Sequence, residues 1–312
     1  MTLRTVRIAT RSSELARRQA RMVETGLGQR GIECELVPFK TTADKKRVKP
    51  LSEIGAKGLF THELEVALRK GKVDCCVHSL KDLPVDDSED LEVVAVLERE
   101  DPRDVLVVNA VTQADGLASL PAGSRVGTSS PRRRAQLAAA RGDLEIVELR
   151  GDVPTRLRKV DTGQVHAAIL AAADLIMLDA KQRITEYFEP PHWLPAAGQG
   201  AIAIQMRRED DAMRAVLAPL DHTPTAIATR AERAFLAALD GGGQVPIGAL
   251  AMVDAEGRLV LHGFVSDLEG RDFVRGAVSV DSSLPEESGR ALAADLRTRG
   301  ATSLLIELRN TP

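Results

Sequence analysis

The stretch VHSLKDLP at Val77–Pro84 predicts the end of a buried strand and the polar turn that follows it. It completes a short apolar run, Val73–Val77, which is typical of a buried strand. The polar turn that follows carries His78, Ser79, Lys81 and Asp82. Since ligands lie at the carboxyl ends of strands in open α/β sheets, the Asp82 carboxylate is placed for chemistry. The alternative interpretation is a capping box, in which Ser79 begins a short helix and Asp82 closes its first turn.

Strand and helix patterns alternate on both sides of this stretch, which predicts two α/β lobes with mostly parallel sheets. The predicted strands of the lobes are Thr5–Thr10, Glu33–Phe39, Val73–Val77, Leu91–Leu97, Asp104–Asn109, Arg125–Gly127, Glu145–Leu149, Val165–Ala171 and Gly198–Ile204. After Pro246 the pattern changes to three strands that alternate around turns, a helix at Glu286–Arg299 and a final short strand. That arrangement predicts a small C-terminal α+β domain.

The charged turn Glu98–Arg103 is a candidate crossing into the second lobe, and the strand at Gly198–Ile204 returns the chain to the first. We expect lobe 1 to comprise residues 1–98 and 199–220, and lobe 2 residues 99–198. The C-terminal α+β domain is expected at residues 221–312. A chain of 312 residues is long enough for three such domains with well-formed cores.

Composition and charge argue against several classes of protein. A net charge of -3 is unlike that of a general nucleic-acid or membrane-surface binder, which is usually basic. The sequence shows no apolar run of membrane-spanning length and no signal-peptide core at its start. The three cysteines have neither a disulfide pattern nor zinc-ligand spacing. We therefore expect a cytoplasmic monomer that takes a small molecule and no metal.

Cationic side chains follow the predicted strands of both lobes. They are Arg11, Lys57 and Lys81 in the first lobe, and Arg132, Arg133, Arg150 and Arg156 in the second. The hydroxyls of Thr128–Ser130 stand where a helix begins, which is a good anion site. Structural interpretations stay open, since Ser12 or Ser13, Ser130 and Asp152 are credible N-caps and Arg134 is suited to solvent. The simplest ligand is a small molecule with several carboxylates, held between the lobes.

Eight segments closely resemble motifs of the porphobilinogen deaminase (hydroxymethylbilane synthase) family and occur in the family's order. They are RIATRSS, GAKGLFTHELEVAL, VHSLKDLP, EREDPRD, GTSSPRRRAQL, LRGDVPTRL, LPAAGQGA and GGGQVPIG, the last with one departure. This family of transferases joins four porphobilinogen units into a linear tetrapyrrole, on the route to porphyrins and heme. The resemblance implies three domains, of which the first two are similar to periplasmic-binding-protein lobes and enclose the active cleft.

The resemblance also implies roles for individual residues. Asp82 corresponds to the family's catalytic aspartate, which assists ammonia loss, stabilises the azafulvenium cation and moves protons on and off the pyrrole nitrogens. Phe60 corresponds to an active-site aromatic, and Gln199 to a glutamine near the lobe connection. Ser79 joins the predicted binding site beside Lys81. The positions that hold acetate and propionate side chains are matched by Arg11, Ser13, Lys57, Lys81, Thr128, Ser129, Ser130, Arg132, Arg133, Arg150 and Arg156.

One position departs from the family pattern in a way that bears on the cofactor. The family's GGCQVPIG loop has a cysteine that carries a dipyrromethane cofactor through a thioether. Here the loop has Gly243 at that position. Glycine has no nucleophile, so we expect no covalent dipyrromethane there, and a cofactor held non-covalently if one is bound.

Three functions are compatible with this departure. The first is a transferase that condenses porphobilinogen, with loss of ammonia, to hydroxymethylbilane or a shorter linear oligopyrrole. The second is a non-catalytic protein that binds pyrrole carboxylates. The third is an engineered Cys→Gly, inactive deaminase. We favour the first, because Asp82 and the carboxylate-binding set are both retained.

Overall fold

The computed structural model describes residues 5–41, 60–85, 88–241, 245–253, 256 and 258–310. The chain divides into two compact units. Unit 1 comprises Met1–Glu100 and Gly200–Ala226, and unit 2 comprises Asp101–Gln199 and Ile227–Pro312. The chain thus passes from unit 1 to unit 2 inside the charged turn Glu98–Arg103. The division into three domains at the bounds given above stays a prediction.

Unit 1 is built on one five-stranded sheet. Its strands are β1 (Val6–Arg11), β2 (Cys34–Phe39), β3 (Cys75–Ser79), β4 (Leu91–Val96) and β10 (Ile202–Arg207). The order across the sheet is β2–β1–β3–β10–β4. Strand β1 is parallel to β2 and β3, whereas β10 is antiparallel to β3 and β4. Because β10 pairs inside this sheet, the strand predicted at Gly198–Ile204 does return the chain to the first sheet.

Strand β3 begins and ends two residues later than predicted. The backbone pairing with β10 continues through His78 and Ser79, which oppose Ala203 and Ile202. Both side chains are polar, so the apolar run in the sequence stops short of them. Their side-chain partners, described below, allow them to remain in a mostly buried strand.

Unit 2 contains a second five-stranded sheet of the same plan. Its strands are β5 (Asp104–Val108), β6 (Arg125–Gly127), β7 (Glu145–Val147), β8 (Ala167–Ala171) and β9 (Glu186–Tyr187). The order is β7–β6–β8–β5–β9, with β6 parallel to β7 and β8, and β5 antiparallel to β8 and β9. Together the two sheets confirm the predicted α/β class with mostly parallel sheets.

The remainder of unit 2 includes a small antiparallel sheet, as predicted for the C-terminal region. Its strands, in order, are β11 (Ile247–Val253), β12 (Arg258–Ser266) and β13 (Phe273–Asp281). Helices pack on this sheet through a buried apolar cluster that includes Phe235, Leu261 and Leu292. Burial of these large side chains is the main source of stability in this region.

The described residues form the following helices, some of which begin at capping side chains. In chain order they are α1 (Glu14–Gly28), α2 (His62–Arg69), α3 (Pro131–Ala140), α4 (Val153–Asp161), α5 (Ala172–Met177), α6 (Asp211–Leu217), α7 (Thr223–Ala238), α8 (Pro285–Leu296) and α9 (Thr302–Asn310). The side chains of Ser13, Ser130 and Asp152 accept hydrogen bonds from backbone N–H groups of the first turns of α1, α3 and α4. The predicted caps are therefore confirmed.

The final short strand predicted from the sequence is wrong. Helix α9 occupies that region, and a distorted turn at Arg297–Ala301 joins it to α8. Ala301, Leu304 and Leu305 are buried in the same cluster as Phe235. Their spacing of three and four residues gives one face of a helix, whereas a run this short does not separate strand from helix by periodicity alone.

Candidate functional site

Asp82 ends a short 3-10 turn, Leu80–Asp82, directly after β3. Leu80 and Leu83 are buried in an apolar cluster with residues of β4 and β10, and Leu80 N donates to Ala201 O at 2.9 Å. Lys81 and Asp82 lie between the two leucines and are half-buried. The leucines thus fix the turn, and the ionisable pair stays at the carboxyl end of β3.

Ser79 holds a helix rather than capping the turn. Its Oγ lies 2.9 Å from Nε2 and 3.1 Å from Oε1 of Gln19, a buried residue of α1. Ser79 makes no capping hydrogen bond to the turn that follows. Ser79 is therefore not the cap of this turn, and the capping-box interpretation is wrong for Ser79.

His78, on β3, is buried and bonded to the neighbouring strand. Its Nε2 lies 3.1 Å from Oε1 of Gln205 on β10. Burial lowers the pKa of His78 to about 4, although the hydrogen bond to Gln205 acts in the opposite direction. The imidazole is therefore neutral at pH 7, and it leaves the charge at this strand end to Lys81 and Asp82.

Arg11 ends β1, which lies beside β3 in the sheet. Its guanidinium carbon Cζ is 4.6 Å from the centroid of the Phe60 ring, a cation–π distance. The sequence predicts a binding role for both residues, and the structure brings them into contact. Ser13 Oγ accepts a hydrogen bond from Ala16 N at 3.3 Å, so this hydroxyl is occupied as the cap of α1. Two further predicted positions, Lys57 and Gly243, lie outside the described residues.

In unit 2, three hydroxyl residues connect β6 to α3. Ser129 Oγ donates to Leu149 O at 2.8 Å. Thr128 Oγ1 accepts from Ser130 N at 3.2 Å, and Ser130 Oγ accepts from Arg133 N at 3.4 Å. These bonds define the loop and the start of the helix. A role in binding carboxylates stays a prediction for all three.

The next residues form what we call the Asp104 cluster: Asp104, Arg132, Arg133, Trp193 and Gln199. Asp104 begins β5 and is fully buried. Its Oδ1 accepts from Arg133 Nε at 3.0 Å, Arg133 Nη2 at 2.8 Å and Gln199 Nε2 at 2.9 Å. Its Oδ2 accepts from Arg132 Nη1 at 2.6 Å and Trp193 Nε1 at 2.9 Å. Five N–H groups therefore saturate one carboxylate.

The Asp104 cluster contains more positive than negative charges. Burial alone raises the pKa of Asp104, but the charges of Arg132 and Arg133 and their hydrogen bonds hold it well below its usual range. Burial lowers the pKa of Arg132, whereas Asp104 raises it. Since guanidinium groups stay protonated in proteins, the cluster contains two cations and one anion. The cluster therefore has a net positive charge in a buried site. This charge favours an anionic ligand, because a buried charge is costly unless it is paired.

Arg150 and Arg156 lie on either side of the start of α4 and are half-buried. Arg150 Nη1 is 3.7 Å from Glu148 Oε1, and Arg156 Nε donates to Gly151 O at 2.8 Å. Lys159 Nζ donates to Arg150 O at 3.0 Å and so fixes the backbone beside that arginine. The turn between β7 and α4 therefore presents two partly accessible guanidiniums.

Sequence reasoning missed the residues that hold the site residues in place. The sequence predicts no role for Gln19 or Trp193, and it places Asp104 only at the start of a predicted strand. A charged residue at the first position of the apolar strand Asp104–Val108 is the signal that was available, because a buried carboxylate needs cationic or N–H partners.

Two features are absent from the described part of the chain. No helix there is long and apolar enough to cross a membrane. Among the same residues, no group of three or more His, Cys, Asp or Glu side chains is arranged to hold a metal ion.

With this geometry in view, comparison with known proteins places the chain in a family. A sequence model described as "Porphobilinogen deaminase, dipyromethane cofactor binding domain" matches residues 6–215. A second, "Porphobilinogen deaminase, C-terminal domain", matches residues 226–298. A porphobilinogen deaminase of Moorella thermoacetica is 48% identical over 306 residues, which cover 97% of this chain and 96% of the relative. The chain belongs to the porphobilinogen deaminase family, a family of transferases.

Two solved structures are similar to part of this chain. The methionine-binding protein MetQ is 15% identical with a TM-score of 0.45, over 69% of this chain and 89% of that one. A periplasmic substrate-binding protein of an ABC transporter from Coxiella burnetii is 15% identical with a TM-score of 0.43, over 73% of this chain and 97% of that one.

Proposed function

We propose that this protein condenses porphobilinogen, with loss of ammonia, to a linear oligopyrrole, and does so without dipyrromethane attached at residue 243. The product is hydroxymethylbilane or a shorter chain. The observation that carries the proposal is the position of Asp82, fixed by Leu80 and Leu83 at the carboxyl end of a buried strand in a chain of this family. The presence of Asp82 favours turnover over binding alone.

Asp82 is proposed as the catalytic residue. When the bond between the aminomethyl carbon and nitrogen of porphobilinogen breaks, the electron pair leaves with ammonia and the pyrrole ring becomes cationic. A carboxylate beside that ring stabilises the positive charge. The α-carbon of a second pyrrole then bonds to the methylene carbon and loses a proton, for which Asp82 is the proposed acceptor.

The acetate and propionate groups of the pyrroles are proposed to bind cationic and hydroxyl side chains of both units. In unit 1, the contact between Arg11 and Phe60 gives a guanidinium of defined orientation beside an aromatic face. In unit 2, the net positive charge of the Asp104 cluster supports a carboxylate ligand. The full proposed set is Arg11, Ser13, Lys57, Phe60, Ser79, Lys81, Thr128, Ser129, Ser130, Arg132, Arg133, Arg150, Arg156 and Gln199.

The side chains fit a dipyrromethane as a bound polyanion, but none of the three cysteines is suited to attach it. The chain has three cysteines, Cys34, Cys75 and Cys76. Burial raises the pKa of each thiol, and Cys75 and Cys76 are fully buried on β3. A thiol must ionise to act as a nucleophile, so none of the three is suited to replace a cysteine at position 243. When bound, a dipyrromethane supplies the pyrrole carbon to which the first substrate unit is joined.

The proposal is tested by incubating the purified protein with porphobilinogen and identifying products by mass spectrometry. We expect substrate loss, a released linear oligopyrrole and an intact protein mass of 33.6 kDa without added pyrroles. A mass larger by two pyrrole units would overturn the non-covalent part of the proposal. If porphobilinogen binds but is not consumed, the chain is a pyrrole-carboxylate-binding protein or a disabled enzyme. Gly243→Cys separates these, because restored attachment and turnover would identify a disabled enzyme.

A further inference from the structure

The two neighbouring arginines of the Asp104 cluster use their nitrogens differently. Arg133 donates from all three: Nε and Nη2 bond to Asp104, and Nη1 bonds to Ile169 O at 3.0 Å. Arg132 donates from Nη1 alone, to Asp104 Oδ2 and to Leu194 O at 2.7 Å. Within the described ranges, Arg132 Nε and Nη2 meet no hydrogen-bond acceptor. The Nε–Nη2 edge is the side of a guanidinium that binds a carboxylate with two parallel bonds.

Asp104 determines this difference. Its Oδ1 is saturated by Arg133 and Gln199, and its Oδ2 takes the end nitrogen of Arg132 together with the indole N–H of Trp193. Arg132 is only 4% exposed, so its side chain has little freedom to turn. Without the carboxylate, two buried guanidiniums would repel each other, and each would keep only its bond to a backbone carbonyl, Leu194 O for Arg132 and Ile169 O for Arg133.

We propose that Asp104 is a positioning residue for substrate binding, which fixes the orientation of Arg133 and holds Arg132 with its Nε–Nη2 edge toward a carboxylate of the pyrrole acid. The inference rests on the proposed function, since a pyrrole carboxylate is the ligand. That carboxylate brings the charge of the cluster from one net positive to zero, whereas a neutral ligand leaves it unbalanced.

The test is a double-mutant cycle on the affinity for porphobilinogen, measured by calorimetry on the full chain, with Asp82→Asn present in every variant so that porphobilinogen is bound and not consumed. Arg132→Met is expected to raise Kd about 10- to 100-fold, the effect of losing one or two charge-assisted hydrogen bonds. Asp104→Asn is expected to raise Kd by a similar factor. In the double variant Kd should be no higher than in Arg132→Met alone, because Asp104 acts through Arg132.

A matched control is Asp74→Asn in unit 1. Asp74 is also a buried carboxylate, and it accepts from Arg7 Nε at 3.0 Å and Nη2 at 2.8 Å. It lies at the opposite end of β3 from the turn with Asp82. We expect Asp74→Asn to lower stability and leave Kd for porphobilinogen unchanged.

Trp193 gives a second readout, because it is the only tryptophan of the chain and its indole N–H bonds to Asp104. Porphobilinogen should shift its emission in the wild-type protein and not in Arg132→Met. If Asp104→Asn does not fold, Asp104→Glu takes its place in the cycle. It keeps the charge but displaces the carboxylate, so Kd should rise by a smaller factor and again not add to Arg132→Met.

The outcomes are distinct. A wild-type protein that neither binds nor consumes porphobilinogen overturns the proposed function, and this inference with it. A wild-type protein that binds, with Asp104→Asn unchanged in Kd or additive with Arg132→Met, overturns the positioning role alone and leaves Asp104 as a structural residue.

Discussion

The two five-stranded sheets share one plan but treat charge at their strand ends in opposite ways. In unit 1, Arg11, Lys81 and Asp82 are half-buried, and Arg11 stacks on an aromatic ring. In unit 2, Asp104 and Arg132 are buried and bonded to each other. The same scaffold therefore supports an accessible ionised group in one unit and a rigid, pre-arranged charge cluster in the other. The first arrangement suits chemistry, and the second suits binding.

The largest expected effect comes from the accessible carboxylate of unit 1. Asp82→Asn removes the charge that is proposed to stabilise the cationic pyrrole, so porphobilinogen consumption should fall about 10²- to 10⁴-fold. The melting temperature should not change, because the turn is held by Leu80 and Leu83. Steady-state kinetics measure porphobilinogen consumption, and circular dichroism measures the melting temperature. Asp211→Asn, at an exposed site in the same unit, is the control. Turnover that survives in Asp82→Asn would remove the basis for assigning chemistry to unit 1.

A substitution in the Asp104 cluster of unit 2 should lower stability strongly, whereas Asp82→Asn in unit 1 should not change it. Asp104→Asn leaves two buried guanidiniums without their anion, which costs about 3–5 kcal/mol in the free energy of unfolding. Urea unfolding at pH 7 gives the value. Asp74→Asn should cost less, because its partner Arg7 is a quarter exposed and water can solvate it. If Asp104→Asn and Asp74→Asn lower the free energy of unfolding equally, the greater burial of the Asp104 cluster has no effect on stability.

The sequence predicted the elements that depend on nearby residues. It did not predict contacts between residues that lie far apart in the chain. Strand Arg125–Gly127 and the caps Ser130 and Asp152 were predicted as observed, since each depends on neighbours within a few residues. The role of Asp104 was not predicted, because its partners lie 28 to 95 residues away. The alternative interpretation of Ser79 as a cap failed for the same reason, since the competing partner Gln19 lies 60 residues away.

A pH titration should place an acid-sensitive group in unit 1. The folded-state pKa of His78 is about 4, below the usual 6.5, so its contribution to stability is complete above pH 6.5 and is lost as pH falls toward 4. At pH 5 the loss relative to pH 7.5 should be about 2 kcal/mol. The free energy of unfolding is measured for wild type and for His78→Asn at both pH values. The difference between the two proteins gives the contribution of His78. A difference that does not depend on pH would show that His78 titrates normally in the folded protein.

The smallest effect is expected from the third arginine of the PRRRAQL segment. Arg134 is exposed on α3, beside two buried arginines. Arg134→Ala should change the free energy of unfolding by less than about 0.5 kcal/mol and leave Kd for porphobilinogen unaffected. Urea unfolding and calorimetry provide both values. A tenfold change in Kd would extend the binding surface beyond the Asp104 cluster.

The place of β10 has a consequence for how the chain is made. Strand β10 lies between β3 and β4, yet about 100 residues, Asp101–Gln199, separate it from the end of β4. At ribosomal rates these residues take roughly 5–20 s to synthesise. Throughout that interval the edge of β3 has no partner strand, and an apolar strand with an open edge is a template for aggregation. Residues 1–100 therefore keep an open apolar strand edge until the returning strand closes the sheet.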